Sequence, residues 1–369
     1  MIPHLEDLGD LHGKTVLVRV DFNVPMSGPD STRVITDDFR IRAALPTINW
    51  LSQHGARVVC ASHLGRPGGL INEKFSMQPI RQRLAELAPG VELLENIRFN
   101  PGEESNDPKF VAQLVAGVDA YVNDAFGSSH RAHASIVGPP KTLPSAGGRL
   151  LQREVEVLSE LRNNPKRPFV VVLGGAKISD KLGVIDALIG VVDALVIGGG
   201  MCFTFLAAKN LPIGDSLFER DQVDNCKKLL NGNVPIHLPE DIVGLDAHGE
   251  FATFGVRLPT GAKGLDIGPG SAAAFADIIM DARSVFWNGP MGVFEDDRFA
   301  AGTRTVAHAM SQTKAFTVVG GGDSAAALKQ YGFENDVNHL STGGGASLEF
   351  LELGDLPGLS ALRGAPNVK

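Results

Sequence analysis

A chain of 369 residues, 43% of them apolar and 21% charged, is long for one core, so two domains are the expectation. Its formal net charge of −8 argues against a general nucleic-acid binder, whose affinity rests on a basic surface, but leaves room for a local cationic cluster that takes a small anion. The three cysteines, Cys60, Cys202 and Cys226, are far apart and show no CxxC spacing, which argues against a disulfide framework or a structural zinc site.

In chain order, the apolar runs predict strands over Thr15–Val20, Arg57–Ala61 and Ala120–Asn123, then Phe169–Leu173, Ala194–Ile197, Ser284–Trp287 and Phe316–Val319. Helical stretches such as Ile41–His54 and Gln78–Leu87 lie between them. Strands alternating with helices imply βαβ units and a parallel sheet, an α/β protein. Leu151, Val155, Leu158 and Leu161 recur at helical spacing, after Gly147-Gly148 and before Asn163-Asn164-Pro165. This segment is expected to be a helix joining two domains.

The first half carries polar motifs where strands end. Arg19-Val20-Asp21-Phe22-Asn23-Val24-Pro25 leaves the first strand, and Ser62-His63-Leu64-Gly65-Arg66-Pro67 the second. Asn96-Ile97-Arg98-Phe99, Ser129-His130-Arg131-Ala132-His133 and Arg40 at a helix start complete the set. Arginines bind phosphate and carboxylate through paired charge-assisted hydrogen bonds, and an Asp/Asn pair can grip a hydroxyl. The set therefore suits a small ligand bearing phosphate and carboxylate. His130 and His133 lack a third ligand nearby, so anion binding or packing is preferred to a metal site.

The second half carries glycine clusters directly after apolar runs: Gly174-Gly175-Ala176-Lys177, Gly198-Gly199-Gly200, Asn288-Gly289-Pro290-Met291-Gly292, Gly320-Gly321-Gly322-Asp323 and Gly343-Gly344-Gly345. Glycine lets backbone approach a ligand and aim N–H groups at it, so the clusters are expected to form a phosphate-holding rim. Lys177 and Lys181, four apart, are expected on one helix face with a polyphosphate between them. Gly320–Ser324 and Ser341–Ala346 should open helices whose starts favour phosphate, with Asp323 placed for Mg²⁺. Glu295 is a candidate acceptor for a ribose hydroxyl. A Walker A loop and the protein-kinase set are absent, and Gly320-x-Gly322-x-x-Ala325 matches the dinucleotide fingerprint only loosely.

Taken together, Arg19–Pro25, Ser62–Pro67, Asn123–Ser135, Gly174–Lys181, Gly198–Phe205, Trp287–Glu295, Gly320–Ser324 and Ser341–Glu349 resemble the phosphoglycerate kinase family nearly end to end. The resemblance implies two doubly wound, Rossmann-like parallel-sheet domains. Residues 1–148 would bind 3-phosphoglycerate, 149–163 would form the joining helix, and 164–355 would bind nucleotide. Residues 356–369 would pack back on the first domain. It implies Mg²⁺-dependent, in-line phosphoryl transfer between 1,3-bisphosphoglycerate and ADP, giving 3-phosphoglycerate and ATP, with domain closure excluding water. By position, Asp21, Phe22, Asn23, Arg40, His63, Leu64, Gly65, Arg66, Arg98 and Arg131 match the glycerate site. Lys181, Gly264, Glu295, Gly321, Gly322, Asp323 and Ser324 match the nucleotide site, and Asp323 the magnesium ligand. Gly174, Gly175, Ala176, Asn288 and Pro290 join the nucleotide contacts.

For the group in flight, charge screening falls to Arg40, Lys177, Lys181 and the N–H groups of Gly322, Gly343 and Gly344. The family implies a monomer. No apolar run reaches the ~18 residues of a membrane span, and Met1–Asp7 has no basic segment leading into an apolar one. A cytoplasmic location without membrane or nucleic-acid partners is expected. The competing readings are a nicotinamide-dependent dehydrogenase and a non-catalytic ligand-binding protein of the same fold. Departures from the family pattern lie at Gly147-Gly148-Arg149, Leu245–Gly255 and Gly268-Pro269-Gly270.

Overall fold

The computed structural model describes residues 1–30 and 33–366. They form two compact units, Met1–Glu156 with the segment from Asp355 onward, and Val157–Gly354. The end of the expected return segment, residues 367–369, lies outside the described residues.

The first unit holds strands β1 (Thr15–Arg19), β2 (Met26–Ser27), β3 (Val34–Ile35), β4 (Arg57–Ala61), β5 (Glu92–Leu93), β6 (Ala120–Asn123) and β7 (Ser145–Gly147). Its helices are α1 (Phe39–Gln53), α2 (Gln78–Leu87), α3 (Pro108–Leu114) and α4 (Ala134–Val137). The main sheet runs β5-β4-β1-β6-β7, and every pairing in it is parallel. Such a sheet is covered on both faces, which is why Val16, Leu17, Val18 and Val122 are all buried rather than alternating. The order reverses between β1 and β6, and ligands of open parallel sheets bind beyond the carboxyl ends of strands at that reversal.

Helix α5 (Arg149–Asn163) is shared between the units. Its first turn is held in the first unit, where the Arg149 N–H donates to Thr47 Oγ1 at 2.8 Å and the Leu151 N–H to Asp124 Oδ1 at 3.1 Å. Its end belongs to the second unit, where Arg162 Nε donates to the Leu351 carbonyl at 2.9 Å.

The second unit adds β8 (Phe169–Leu173), β9 (Ala194–Ile197), β10 (Ile236–His237), β11 (Asp241–Leu245), β12 (Phe251–Gly255), β13 (Lys263–Ile267), β14 (Ser284–Asn288), β15 (Phe316–Gly320) and β16 (His339–Leu340). Its helices are α6 (Leu182–Leu188), α7 (Cys202–Ala208), α8 (Val223–Leu230), α9 (Pro269–Asp281), α10 (Ala301–Gln312), α11 (Gly322–Gln330) and α12 (Gly345–Leu353). The parallel sheet runs β10-β9-β8-β14-β15-β16, reversing between β8 and β14. A three-stranded antiparallel sheet, β12-β11-β13, stands beside it. The chain then returns to the first unit as α13 (Pro357–Arg363), where the Gly358 N–H donates to the Ser129 carbonyl at 2.9 Å.

The structure corrects a local expectation. Gly174–Lys181 leaves β8 in turns, and α6 opens only at Leu182. Lys177 and Lys181 therefore share no helix face. Gly175, at φ 95°, takes a conformation that no helix contains. Gly345 opens α12. All three cysteines are free and buried.

Candidate active site

In the first unit the exits of β1 and β4 are laced together. The Phe22 N–H donates to Ser62 Oγ at 2.8 Å, and the Gly65 N–H to Asn23 Oδ1 at 2.8 Å. Phe22 is fully buried and Leu64 nearly so, both in the hydrophobic core. Their side chains hold the loops in place. Arg66 is exposed on the same loop.

Asp21 meets Arg40 at 2.7 Å. Burial alone would raise its carboxyl, but Arg40 foremost, with Arg19 and the Asn23 N–H, outweighs burial and holds it well below the usual carboxylate range. Arg98 donates to the Gly65 carbonyl at 2.8 Å, and its Nε pairs with the Glu104 carboxylate at 3.3 Å. Burial, with Arg19 and Arg131 beside it, brings the Arg98 guanidinium down to about 10. Burial and the same arginines bring His133 down to about 4, and burial pushes His63 far below its ordinary value. The histidines are thus neutral donors among crowded cations. A cluster of repelling guanidiniums is relieved by an anion.

Sequence reasoning passed over Glu103 here, and named Asn96 and Ser135 without giving either a role. Asn96 Nδ2 bridges the Leu64 and Phe75 carbonyls at 2.8 and 2.9 Å, fixing the loop that carries Arg66.

In the second unit three glycine clusters meet at the sheet reversal. A Cβ on Gly174 would lie 2.1 Å from the Pro290 carbonyl oxygen, and one on Gly199 would lie 2.5 Å from the Gly175 nitrogen. Glycine is required there so that loop backbones can cross. Lys181 is half-buried over this crossing, its Nζ donating to Asn288 Oδ1. Burial lowers the Lys181 ammonium, against the attraction of Asp180 and Asp323. Asn288 Nδ2 is buried with no partner. Lys177 is exposed, and its loop is clamped by Glu219, which accepts from the Ser179 N–H at 3.0 Å and the Ser179 hydroxyl at 2.6 Å.

Gly321, at φ 95°, turns β15 into α11, and the first helical bond is Ala325 N–H to the Gly321 carbonyl at 3.1 Å. The N–H groups of Gly322 and Asp323 stand ahead of that ladder. The Ser324 hydroxyl is committed to structure, accepting from the Gly289 N–H at 2.6 Å. The Gly343 N–H is likewise committed, to Ser341 Oγ at 3.0 Å, so of the expected pair Gly344 is the one ahead of α12. A cavity of about 270 Å³ opens beside the crossing, lined among others by Gly175, Ala176, Phe203, Leu217, Gly264, Pro290, Val293, Glu295 and Asp323. Phe203, Leu217 and Val293 were not legible as lining, because only the fold brings their distant segments together.

Asp266 also lines this cavity, 4% exposed, accepting from the Ile267 N–H at 2.9 Å and the Gly302 N–H at 2.8 Å. Burial raises its carboxyl to about 7, against those two donors. The native state then keeps a proton that the unfolded chain has lost, so this group's contribution to stability falls as pH rises from about 4 to about 7. Asp266→Asn should therefore gain on the parent between pH 5 and pH 8, with a ceiling of about 4 kcal/mol. Melting curves of both proteins across that range check it, and parallel pH dependences would refute it.

The chain has counterparts among known proteins. The family model described as phosphoglycerate kinase matches residues 5–92 and 88–353. The chain belongs to the phosphoglycerate kinase family. The phosphoglycerate kinase of Rubrobacter xylanophilus is 49% identical over 381 aligned positions, covering 96% of each chain. That of Salinispora tropica is 50% identical, covering 97% of this chain and 98% of the relative. The structure of phosphoglycerate kinase from Coxiella burnetii matches with TM-score 0.87 at 36% identity, over 98% of this chain and 99% of that one. The Pyrococcus horikoshii enzyme matches with TM-score 0.84 at 32% identity. The protein is thus a kinase of glycolysis with the two-domain Rossmann-like fold of phosphoglycerate kinases, using ATP and ADP as co-substrates.

Proposed function

We propose that the arginine cluster of the first unit holds 3-phosphoglycerate or the glycerate end of 1,3-bisphosphoglycerate, and that the glycine crossing of the second unit holds the nucleotide. The crowding of Arg19, Arg98 and Arg131, which depresses the Arg98 guanidinium, carries the first assignment. The unpaired Asn288 amide beside Lys181 supports the second. In the ATP-consuming direction the attacking group is a carboxylate, which is already a nucleophile. No general base is needed, in keeping with histidines held neutral. Lys181, with the N–H groups of Gly322 and Gly344, then stabilises charge on the transferring group, and Arg40 does so from the acceptor side. The cavity between Phe203, Leu217 and Val293 takes the base, and Glu295 the ribose.

Mg²⁺ fits Asp323. Among the described residues no three His, Cys, Asp or Glu side chains gather to cage a metal. Magnesium is commonly held by one or two carboxylates together with phosphate oxygens and water. Bound there, it would neutralise phosphate charge. We take the enzyme as a cytoplasmic monomer acting on small molecules. Its acidic balance and the lack, among the described residues, of any helix long and apolar enough to cross a membrane support that reading.

ADP release from ATP should depend on 3-phosphoglycerate, stop when EDTA is added and return with excess MgCl₂. ADP release that continues unchanged in EDTA would overturn the metal assignment. Release that needs no 3-phosphoglycerate would overturn the acceptor assignment.

A further inference from the structure

Behind the arginine cluster lies a run of buried polar residues that the reaction itself does not require. Glu103 and Arg19 are fully buried, Ser135 is 1% exposed and His63 is 5% exposed. They come from four places: the turn before α3, the end of β1, helix α4 and the exit of β4. Burying ions is costly, so each needs its partners in good geometry.

The partners form a chain. Ser135 gives its N–H to Glu103 Oε2 at 2.9 Å and its hydroxyl to Glu103 Oε1 at 2.7 Å. With its proton so placed, Ser135 Oγ accepts from Arg19 Nε at 2.8 Å. Arg19 also donates through Nη1 to the Val20 carbonyl, and its Nη2 lies 3.2 Å from His63 Nδ1. A guanidinium has no acceptor, so Nδ1 must accept and the ring proton must sit on Nε2. Burial foremost, then the surrounding arginines, keeps the ring neutral, so only one nitrogen carries a proton.

We propose that Glu103 is a positioning residue for the acceptor site, which through Ser135 and Arg19 holds His63 as an Nε2–H donor. The inference rests on the assignment of His63 to the 3-phosphoglycerate site. Among the described residues this chain of bonds leads to the Glu103 carboxyl group, which is fully buried. Its other neighbour is the His133 ring, whose Nδ1 lies 3.8 Å from Oε1. Without the carboxylate, the Ser135 hydroxyl that holds Arg19 Nε loses its acceptor, and the Nδ1 contact loosens.

The test uses the full-length enzyme with ring-¹⁵N histidine, with His63→Gln assigning the signals. The parent should show His63 as the Nε2–H tautomer. Glu103→Gln should redistribute that signal and raise the KM for 3-phosphoglycerate roughly tenfold or more, with the KM for MgATP unchanged. Ser135→Ala, which keeps Glu103 but cuts the chain, should move both in the same direction and stands in if Glu103→Gln does not fold. An Nδ1–H tautomer in the parent, or unchanged ring signals and KM in both variants, would overturn the relay. If the ring signals shift but His63→Gln leaves the 3-phosphoglycerate KM untouched, the acceptor assignment of His63 has failed, and the functional inference falls with it.

Discussion

Lys181→Ala should lower kcat by about 10²–10³ while changing the KM for MgATP little. The ammonium is half-buried at the glycine crossing, with Asn288 Oδ1 as its hydrogen-bond partner and Asp180 and Asp323 attracting it from further off. Among the described residues no carboxylate forms an ion pair with it, so it can follow charge that develops on the transferring group. An interaction that strengthens only in the transition state appears in kcat, not in KM. Arginine should not rescue the variant, because a planar fork cannot fit where a compact point charge sits against crossing backbones. Burial lowers this lysine's proton affinity in the fold, so the charged form is disfavoured there and the parent is weakened at neutral pH. Lys181→Ala should thus melt at an equal or higher temperature while losing activity, the trade expected of a functional site. An unchanged kcat in steady-state assays would sink the assignment.

The sequence made the sheets legible because parallel strands are apolar on both faces. Phe169–Leu173 is buried at all five positions, and an uninterrupted apolar run predicts that much. The short edge strands, such as Glu92–Leu93 and Ile236–His237, carry too few residues for any period and were missed. Glycine clusters were read as ligand contacts, and several are instead contacts with one another. Gly174, Gly199 and Gly289 are glycine because each would otherwise drive a Cβ into a neighbouring loop's backbone. Sequence alone gives no way to separate approach to phosphate from approach to protein, since both demand the missing Cβ. The arginines stood out by residue type and by their place at strand ends, although Arg98 is buried. Glu103 was not, since its meaning comes from Ser135, 32 positions away, whose hydroxyl it accepts.

Arg40→Ala should reduce turnover about a hundredfold and, unlike loss of the exposed Arg66, should also weaken the fold. Arg40 is the largest of the charges holding the Asp21 carboxyl below its ordinary range against burial. A carboxyl depressed in the fold adds stability above its unfolded pKa and loses it as pH falls through the folded value. With Arg40 gone and His63 neutral, Arg19 and the Asn23 N–H are left to oppose burial, so Asp21 should take up its proton at higher pH. The acid-unfolding midpoint should rise, and stability at neutral pH should fall by about 1–2 kcal/mol, short of a fully buried pair because side-chain exposure is 31% for Arg40 and 11% for Asp21. Adding Asp21→Asn to Arg40→Ala should restore most of that stability, since the stranded charge is removed with its partner. It should restore none of the turnover, because the guanidinium acts on the group in flight and not through Asp21. Recovery of both together would show Arg40 to be a structural partner of Asp21 and nothing more.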